Sequence, residues 1–196
     1  MKSGGYSRPF KGLTVCGDSF VIEEKNGSFL AAVIDGLGHG YESSVAAEKA
    51  VEVIREYADL SVEAIMRRCH EGLRPTRGAA VGILKVEETG AGEFCGIGNI
   101  EVQALNGHPP SVFCLAGIVG HNLRASKTMQ FKMKAGDIYC LMSDGVSTRG
   151  NLKSCLPGAP DAVARRIVEQ WGRAHDDATA VVVGFGEAAL LAPAAG

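Results

Sequence analysis

The chain has few of the features that mark membrane, secreted or fibrous proteins. It has only 7 prolines and 1 tryptophan among 196 residues, and no apolar run approaches the roughly 20 residues that span a bilayer. Its 26 glycines follow no period and 46% of the residues are hydrophobic, which excludes collagen-like and disordered chains. Residues 1–10 lack the apolar core of a signal peptide. We therefore expect a cytoplasmic protein that has no membrane segment.

An excess of charge of one sign is also missing. The 20 basic and 22 acidic residues give a net charge of −2 without any basic block, so the composition favours neither nucleic acid nor a membrane surface as a partner. The 6 cysteines form no Cys-x-x-Cys pair, and no histidine lies at zinc-ligand spacing from them. We interpret them as reduced, buried thiols.

Hydrophobic periodicity predicts three amphipathic helices and seven strands. The helices are expected at 43–60, from an N-cap at Ser61 to about Gly72, and from about Asp161 onward. The strands are expected at 20–23, 28–34, 79–86, 93–98, 129–134, 138–142 and 179–185. Because the strand at 79–86 is apolar on both faces, it must be covered twice. We predict two mainly antiparallel sheets between layers of helices, in one domain over residues 1–196 with a C-terminal tail from residue 186.

A hairpin brings two acids together. Asn26-Gly27 is typical of a two-residue turn, and extending its register outward places Asp18 opposite Asp35. Directly opposed carboxylates repel each other, so this pair predicts a compensating cation.

Acids also stand at two further strand ends. Asp144 follows one predicted strand, and Asp176 and Asp177 precede the last one. Each of them alone is as typical of an ordinary turn as of a site. Together they predict a site for Mg²⁺ or Mn²⁺, because oxygen ligands suit hard cations. Backbone carbonyls freed by Gly36 and Gly145 could complete it.

His39 lies in a glycine-rich turn that leads into the first helix. It could act as a general acid beside the metal or simply cap the helix, and the residues leave both open. The turn lacks the Lys and the Ser or Thr of a P-loop, so nucleotide binding is not favoured. Ser19, Ser43 and Ser143 lie in no Gly-x-Ser-x-Gly elbow, so a nucleophilic serine is not favoured either.

Six short motifs occur in an order typical of one enzyme family. They resemble the metal-dependent serine/threonine phosphatases of the PPM (PP2C) type, in the SpoIIE-like bacterial branch, over about residues 12–185. The motifs are Gly-Asp-Ser-Phe at 17–20, Asp-Gly-Leu-Gly-His-Gly at 35–40, Arg-Gly-Ala-Ala at 77–80, Gly-Ile-Gly-Asn at 96–99, Ser-Asp-Gly at 143–145 and Asp-Asp-Ala-Thr at 176–179.

The resemblance implies a four-layer α-β-β-α sandwich that holds two Mn²⁺ or Mg²⁺ ions. Asp35 would bridge the ions and the Gly36 carbonyl would bind one of them. Asp144 and Asp176 match further ligands. Asp18 matches an acid that acts on an ion directly or through its water.

The chain departs from the family pattern at two places. Many relatives carry a phosphate-binding arginine shortly before the first acid, where Thr14, Val15 and Cys16 stand here; Arg8 or Lys11 could replace it. Eukaryotic relatives carry the histidine proposed as general acid two residues after the bridging aspartate. Here that position is Leu37, and the histidine follows at position 39, as in the bacterial branch.

The resemblance also implies a substrate. The chain looks most like the stand-alone phosphatases of the stressosome, which implies attack by metal-activated water on phosphoserine or phosphothreonine of a STAS-domain scaffold protein. A short segment at 107–128 stands where longer members carry a flap. The alternatives are a phosphatase-fold binding protein without turnover and a metal-dependent hydrolase of small phosphate esters.

Overall fold

The computed structural model describes residues 1–123 and 125–186. The tail expected after Gly186 lies outside the described residues. The described part contains three α-helices and nine strands, with one 3₁₀ turn at Leu152–Cys155. The helices are α1 (Tyr41–Glu56), α2 (Val62–Gly72) and α3 (Pro160–Trp171). The strands are β1 (Lys2–Arg8), β2 (Asp18–Lys25), β3 (Ser28–Gly36), β4 (Ala79–Glu87), β5 (Ala91–Ile97), β6 (Glu101–Asn106), β7 (Met129–Lys132), β8 (Ile138–Met142) and β9 (Ala178–Gly184).

The strands form two antiparallel sheets. One has the order β1-β9-β8-β6 and the other has the order β2-β3-β4-β5-β7. Helices α1 and α2 cover the outer face of the five-stranded sheet, and α3 covers the outer face of the four-stranded sheet. The predicted α-β-β-α sandwich is confirmed.

The central strands are apolar on both faces because each face packs into a different core. In β3, Leu30, Ala32 and Ile34 contact the helices. The alternating Phe29 and Val33 pack between the sheets. Side chains alternate across a strand, so an unbroken apolar run is what a strand inside a four-layer sandwich requires.

All three predicted helices and all seven predicted strands are present, with shifted ends. The first helix begins at Tyr41 and ends at Glu56, and the strand predicted to reach position 134 ends at Lys132. Strands β1 and β6 were not predicted. Both are edges of the four-stranded sheet, where polar residues and glycines are tolerated, so neither has the apolar pattern of a central strand.

The hairpin register is confirmed. Asn26 and Gly27 both have positive φ, 51° and 74°, as a type I′ turn requires. The pairing runs from Lys25 opposite Ser28 to Asp18 opposite Asp35 without a bulge. The turn chemistry therefore determines which two acids meet at the far end of the hairpin.

The six cysteines are all free thiols. Cys69, Cys95, Cys140 and Cys155 are buried, while Cys16 and Cys114 are partly exposed. Within the described part of the chain, no helix has the length and apolar character that crossing a membrane requires.

Candidate active site

Acids from both sheets meet at one end of the sandwich. Asp35 lies near the end of β3, Asp144 just after β8 and Asp176 just before β9. All three line one open cavity of about 520 Å³. The side walls of this cavity include Leu37, Gly38, His39, Asn99 and Ile118. The structure therefore brings three of the acids singled out in the sequence into one cavity.

Close backbone packing at Gly36 shapes the floor of this region. The Gly36 amide donates to the Gly17 carbonyl at 3.1 Å. A Cβ at Gly36 would overlap the Ser43 carbonyl oxygen of α1. Only glycine lets β3 pass so close to the helix that follows it, which holds the Gly36 peptide beside Asp35.

Asp18 ties the two sheets together. Its side chain is 6% exposed, and its Oδ2 accepts a 2.6 Å hydrogen bond from Ser143 Oγ. Ser143 Oγ in turn accepts from the Thr179 amide at 3.0 Å. Burial raises the pKa of Asp18 well above its usual value, and the charge of Asp35 raises it further. Ser143 therefore orients a carboxylate, in agreement with the absence of a nucleophile elbow around it.

Asp35 is the centre of the repulsion among these acids. Burial and then the charges of Asp144 and Asp176 raise the pKa of Asp35 to about 7. Burial and the charge of Asp144 likewise raise the pKa of Asp176. Ionised carboxylates in this arrangement cost free energy that a cation would offset.

We expect the metal-free protein to lose stability as the pH rises from about 4 to about 7. The pKa of Asp35 is about 7 in the folded protein against a model value of 3.8. Between these values the folded state binds more protons than the unfolded state, so its free energy of unfolding falls with rising pH. Urea denaturation in EDTA across this range measures the trend. A midpoint that stays constant or rises would contradict it.

Asn99 is a site residue to which no role was assigned from the sequence. Its Nδ2 donates to Asp144 Oδ2 at 2.7 Å, and its interaction with Asp35 offsets a small part of the rise in the pKa of that acid that burial and the neighbouring acids cause. Asn99 belongs to the Gly-Ile-Gly-Asn motif, which was recognised in the sequence. Its contact with Asp144, however, depends on how the two sheets pack together. Within residues 1–123 and 125–186, no group of three or more Asp, Glu, His or Cys side chains is already arranged to hold a metal ion.

Asp176 and Asp177 have different environments. Asp176 is half-buried and lines the cavity. Asp177 is 3% exposed, and its Oδ1 accepts from the Phe10 amide at 2.8 Å. The buried Asp177 Oδ2 has no hydrogen-bond partner. An oxygen-only donor set with an unsatisfied buried carboxylate oxygen beside it fits a hard divalent cation.

His39 is exposed on the cavity wall. Its ring centroid lies 5.2 Å from that of Phe10. The structure brings this histidine to the carboxylates, and its role as a general acid stays a prediction.

Of the two basic candidates from the sequence, Arg8 has its side chain bonded elsewhere, and neither Arg8 nor Lys11 lines the cavity. Arg8 is half-buried, and its Nη2 donates to the Arg173 carbonyl at 2.6 Å. The Lys11 amide donates to the Ala174 carbonyl at 3.4 Å, and neither residue lines the cavity. Both hold the segment that leads to Asp176.

Cys16 lies close to the acids but is not a nucleophile at neutral pH. Burial and the charge of Asp18 raise the pKa of its thiol to about 12. The thiol is therefore protonated, whereas nucleophilic cysteines are thiolates.

Comparison with known proteins gives a consistent result. No family model matches the chain. The chain is 27% identical over 149 residues to the phosphoserine phosphatase RsbX of Bacillus subtilis (strain 168), covering 73% of this chain and 75% of that protein.

Two solved structures share the fold. One comes from a structural study of the bacterial stressosome, described there as a modular system that has been adapted to control secondary messenger signaling. It superposes with a TM-score of 0.85 at 29% identity, covering 92% of this chain and 97% of that one. RsbX in complex with magnesium superposes with a TM-score of 0.79 at 24% identity, covering 92% of each chain. The motifs, the sandwich fold and these similarities show that the chain resembles the serine/threonine protein phosphatases of the PP2C type.

Proposed function

We propose that the chain hydrolyses phosphoserine or phosphothreonine in a protein partner, using two Mn²⁺ or Mg²⁺ ions. The observation that carries the proposal is that Asp35, Asp144 and Asp176 line one open cavity, where burial and the charges of the other two raise the pKa of Asp35 to about 7. We further propose that all described elements act as one phosphatase domain, because the core between the sheets joins both halves of the sandwich.

The side chains fit distinct roles in this reaction. Asp35, Asp144, Asp176 and the Gly36 carbonyl would hold the ions, with Asp35 shared between them. Bound divalent ions activate water and neutralise charge on a transferred phosphoryl group. Asp18, oriented by Ser143, would accept a proton from the attacking water.

His39 stands where it could donate a proton to the departing serine or threonine oxygen. No covalent step is needed, and the protonated Cys16 thiol supplies none.

Exposed apolar side chains near the cavity favour a protein substrate. Leu37 on its wall is 48% exposed and Tyr41, at the start of α1, is 72% exposed. Leu13, 37% exposed, lies beside Gly40 next to them. Such side chains suit the surface of a folded partner around a phosphorylated residue better than a small, free phosphate ester.

We propose a STAS-domain scaffold protein of the stressosome as the partner. The support comes from the similarity to RsbX and to the chain from the stressosome work. The scaffold phosphorylated on serine or threonine should lose its phosphate on incubation with the protein and Mn²⁺, as followed by mass spectrometry.

Parallel arms separate the alternative functions. Rapid cleavage of an unrelated phosphoprotein while the scaffold stays phosphorylated would refute this partner but not the chemistry. Binding without phosphate loss would favour a non-catalytic protein. Cleavage of an aryl phosphate alone would favour a small-ester hydrolase.

Tyr41→Ser should reduce kcat/KM toward the phosphoprotein about fivefold and leave aryl phosphate hydrolysis unchanged. The reason is that an exposed aromatic contact contributes about 1 kcal/mol to a protein interface. Leu60→Ser is the matched control, because Leu60 is 39% exposed near the opposite end of β4. Equal losses on both substrates would contradict a role of Tyr41 in protein recognition.

A further inference from the structure

We infer that Arg77 binds the phosphate group of the substrate at the mouth of the cavity. This inference rests on the proposed function and adds a positioning residue to it. In the described residues Arg77 is exposed and has neither a hydrogen bond nor an ion pair. Arg77 lies just outside the residues that line the cavity. Its guanidinium lies against the loop that forms the cavity wall, with Nη1 3.3 Å from where a Cβ on Gly38 would stand.

The backbone holds Arg77 in this place. Gly78 has a φ of +78°, and a Cβ there would stand 2.6 Å from the Val119 carbonyl oxygen. The Gly78 amide donates to Thr76 Oγ1 at 3.0 Å. The Gly78 carbonyl accepts from the Leu37 amide at 3.0 Å. Arg77 is therefore fixed to the loop that carries Gly38 and His39, while its side chain remains available.

A phosphoryl group that enters this cavity would need positive charge near it. It would carry negative charge into a cavity lined by carboxylates, and a cation at the cavity rim would pair with oxygens that bound metal ions do not contact. No basic residue stands at positions 14–16, and Arg8 is bonded to the backbone. Arg173 lies near Asp176, where its charge offsets a small part of the rise in pKa that burial and Asp144 cause. Arg77 is free, and a guanidinium fork matches two phosphate oxygens.

The test compares Arg77→Ala and Arg77→Lys with the control Arg74→Ala, an exposed arginine outside the cavity wall. Three quantities are measured: KM and kcat for a phosphoserine protein, the dissociation constant of inorganic phosphate in the Mn²⁺-loaded protein, and the affinity for Mn²⁺. Arg77→Ala should raise KM and the phosphate dissociation constant at least about tenfold, the size of a charge-assisted hydrogen bond. Manganese affinity and kcat should change much less, and Arg77→Lys should recover part of the loss.

The outcomes separate this inference from the proposed function. Turnover and phosphate binding that are both unchanged in Arg77→Ala would refute the inference and leave the function standing. Loss of phosphate binding in Arg173→Ala but not in Arg77→Ala would also refute it. A wild-type protein that binds phosphate through Arg77 but hydrolyses no phosphoprotein would refute the function and support the inference.

Discussion

Asp35→Asn should reduce Mn²⁺-dependent turnover by at least roughly a thousandfold, because the residue would bind both ions. Asp35 faces Asp18 across the hairpin and lines the cavity together with Asp144 and Asp176. An amide keeps the shape of the side chain and removes the negative charge that attracts the cations. The loss should therefore come from the site and not from misfolding.

The stability of the same variant distinguishes these two causes. Without metal, Asp35→Asn should be at least as stable as the wild-type protein at pH 8, because it removes a carboxylate whose pKa is raised by burial and by like charges. Mn²⁺ should stabilise the wild-type protein against urea and should stabilise the variant far less. Asp161→Asn, an exposed position at the start of α3, serves as the control. Full Mn²⁺-dependent activity in Asp35→Asn would refute the assignment.

The sequence predicted the elements that depend on local chemistry. The turn at Asn26-Gly27 determined the register of β2 and β3, and with it the meeting of Asp18 and Asp35. The unbroken apolar strands required a second layer of cover, and the structure has it. Strands β1 and β6 were missed because edge strands need no apolar pattern.

The partners of the acids could not be predicted from local patterns. Ser143 is 125 residues from Asp18, and Asn99 is 45 residues from Asp144. Each pair joins different strands, so its geometry depends on how the two sheets pack and not on spacing along the chain. The same applies to Arg77, which lies beside Gly38 where the Gly78 carbonyl accepts a hydrogen bond from the Leu37 amide, 41 residues earlier in the chain.

Asp18→Ala should lose most of its turnover, about a hundredfold or more, and should weaken Mn²⁺ binding less than Asp35→Ala does. Asp18 is 6% exposed and does not line the cavity. Its Oδ2 is engaged by Ser143, which leaves the carboxylate suited to orient a water or accept its proton. Asp35 and Asp176 both line the cavity, so removing Asp18 takes away fewer direct contacts to an ion.

Calorimetric titration of Mn²⁺ into Asp18→Ala and Asp35→Ala, together with kcat for a phosphoserine protein, tests this division of roles. Ser143→Ala is the informative companion, because it leaves the Asp18 carboxylate in place and removes its 2.6 Å hydrogen bond. If Asp18 works as an oriented proton acceptor, Ser143→Ala should lower kcat moderately and leave Mn²⁺ affinity nearly unchanged. Equal losses of Mn²⁺ affinity in the two aspartate variants would instead make Asp18 a direct ligand, since only a residue that contacts the ion contributes as much to its binding as Asp35.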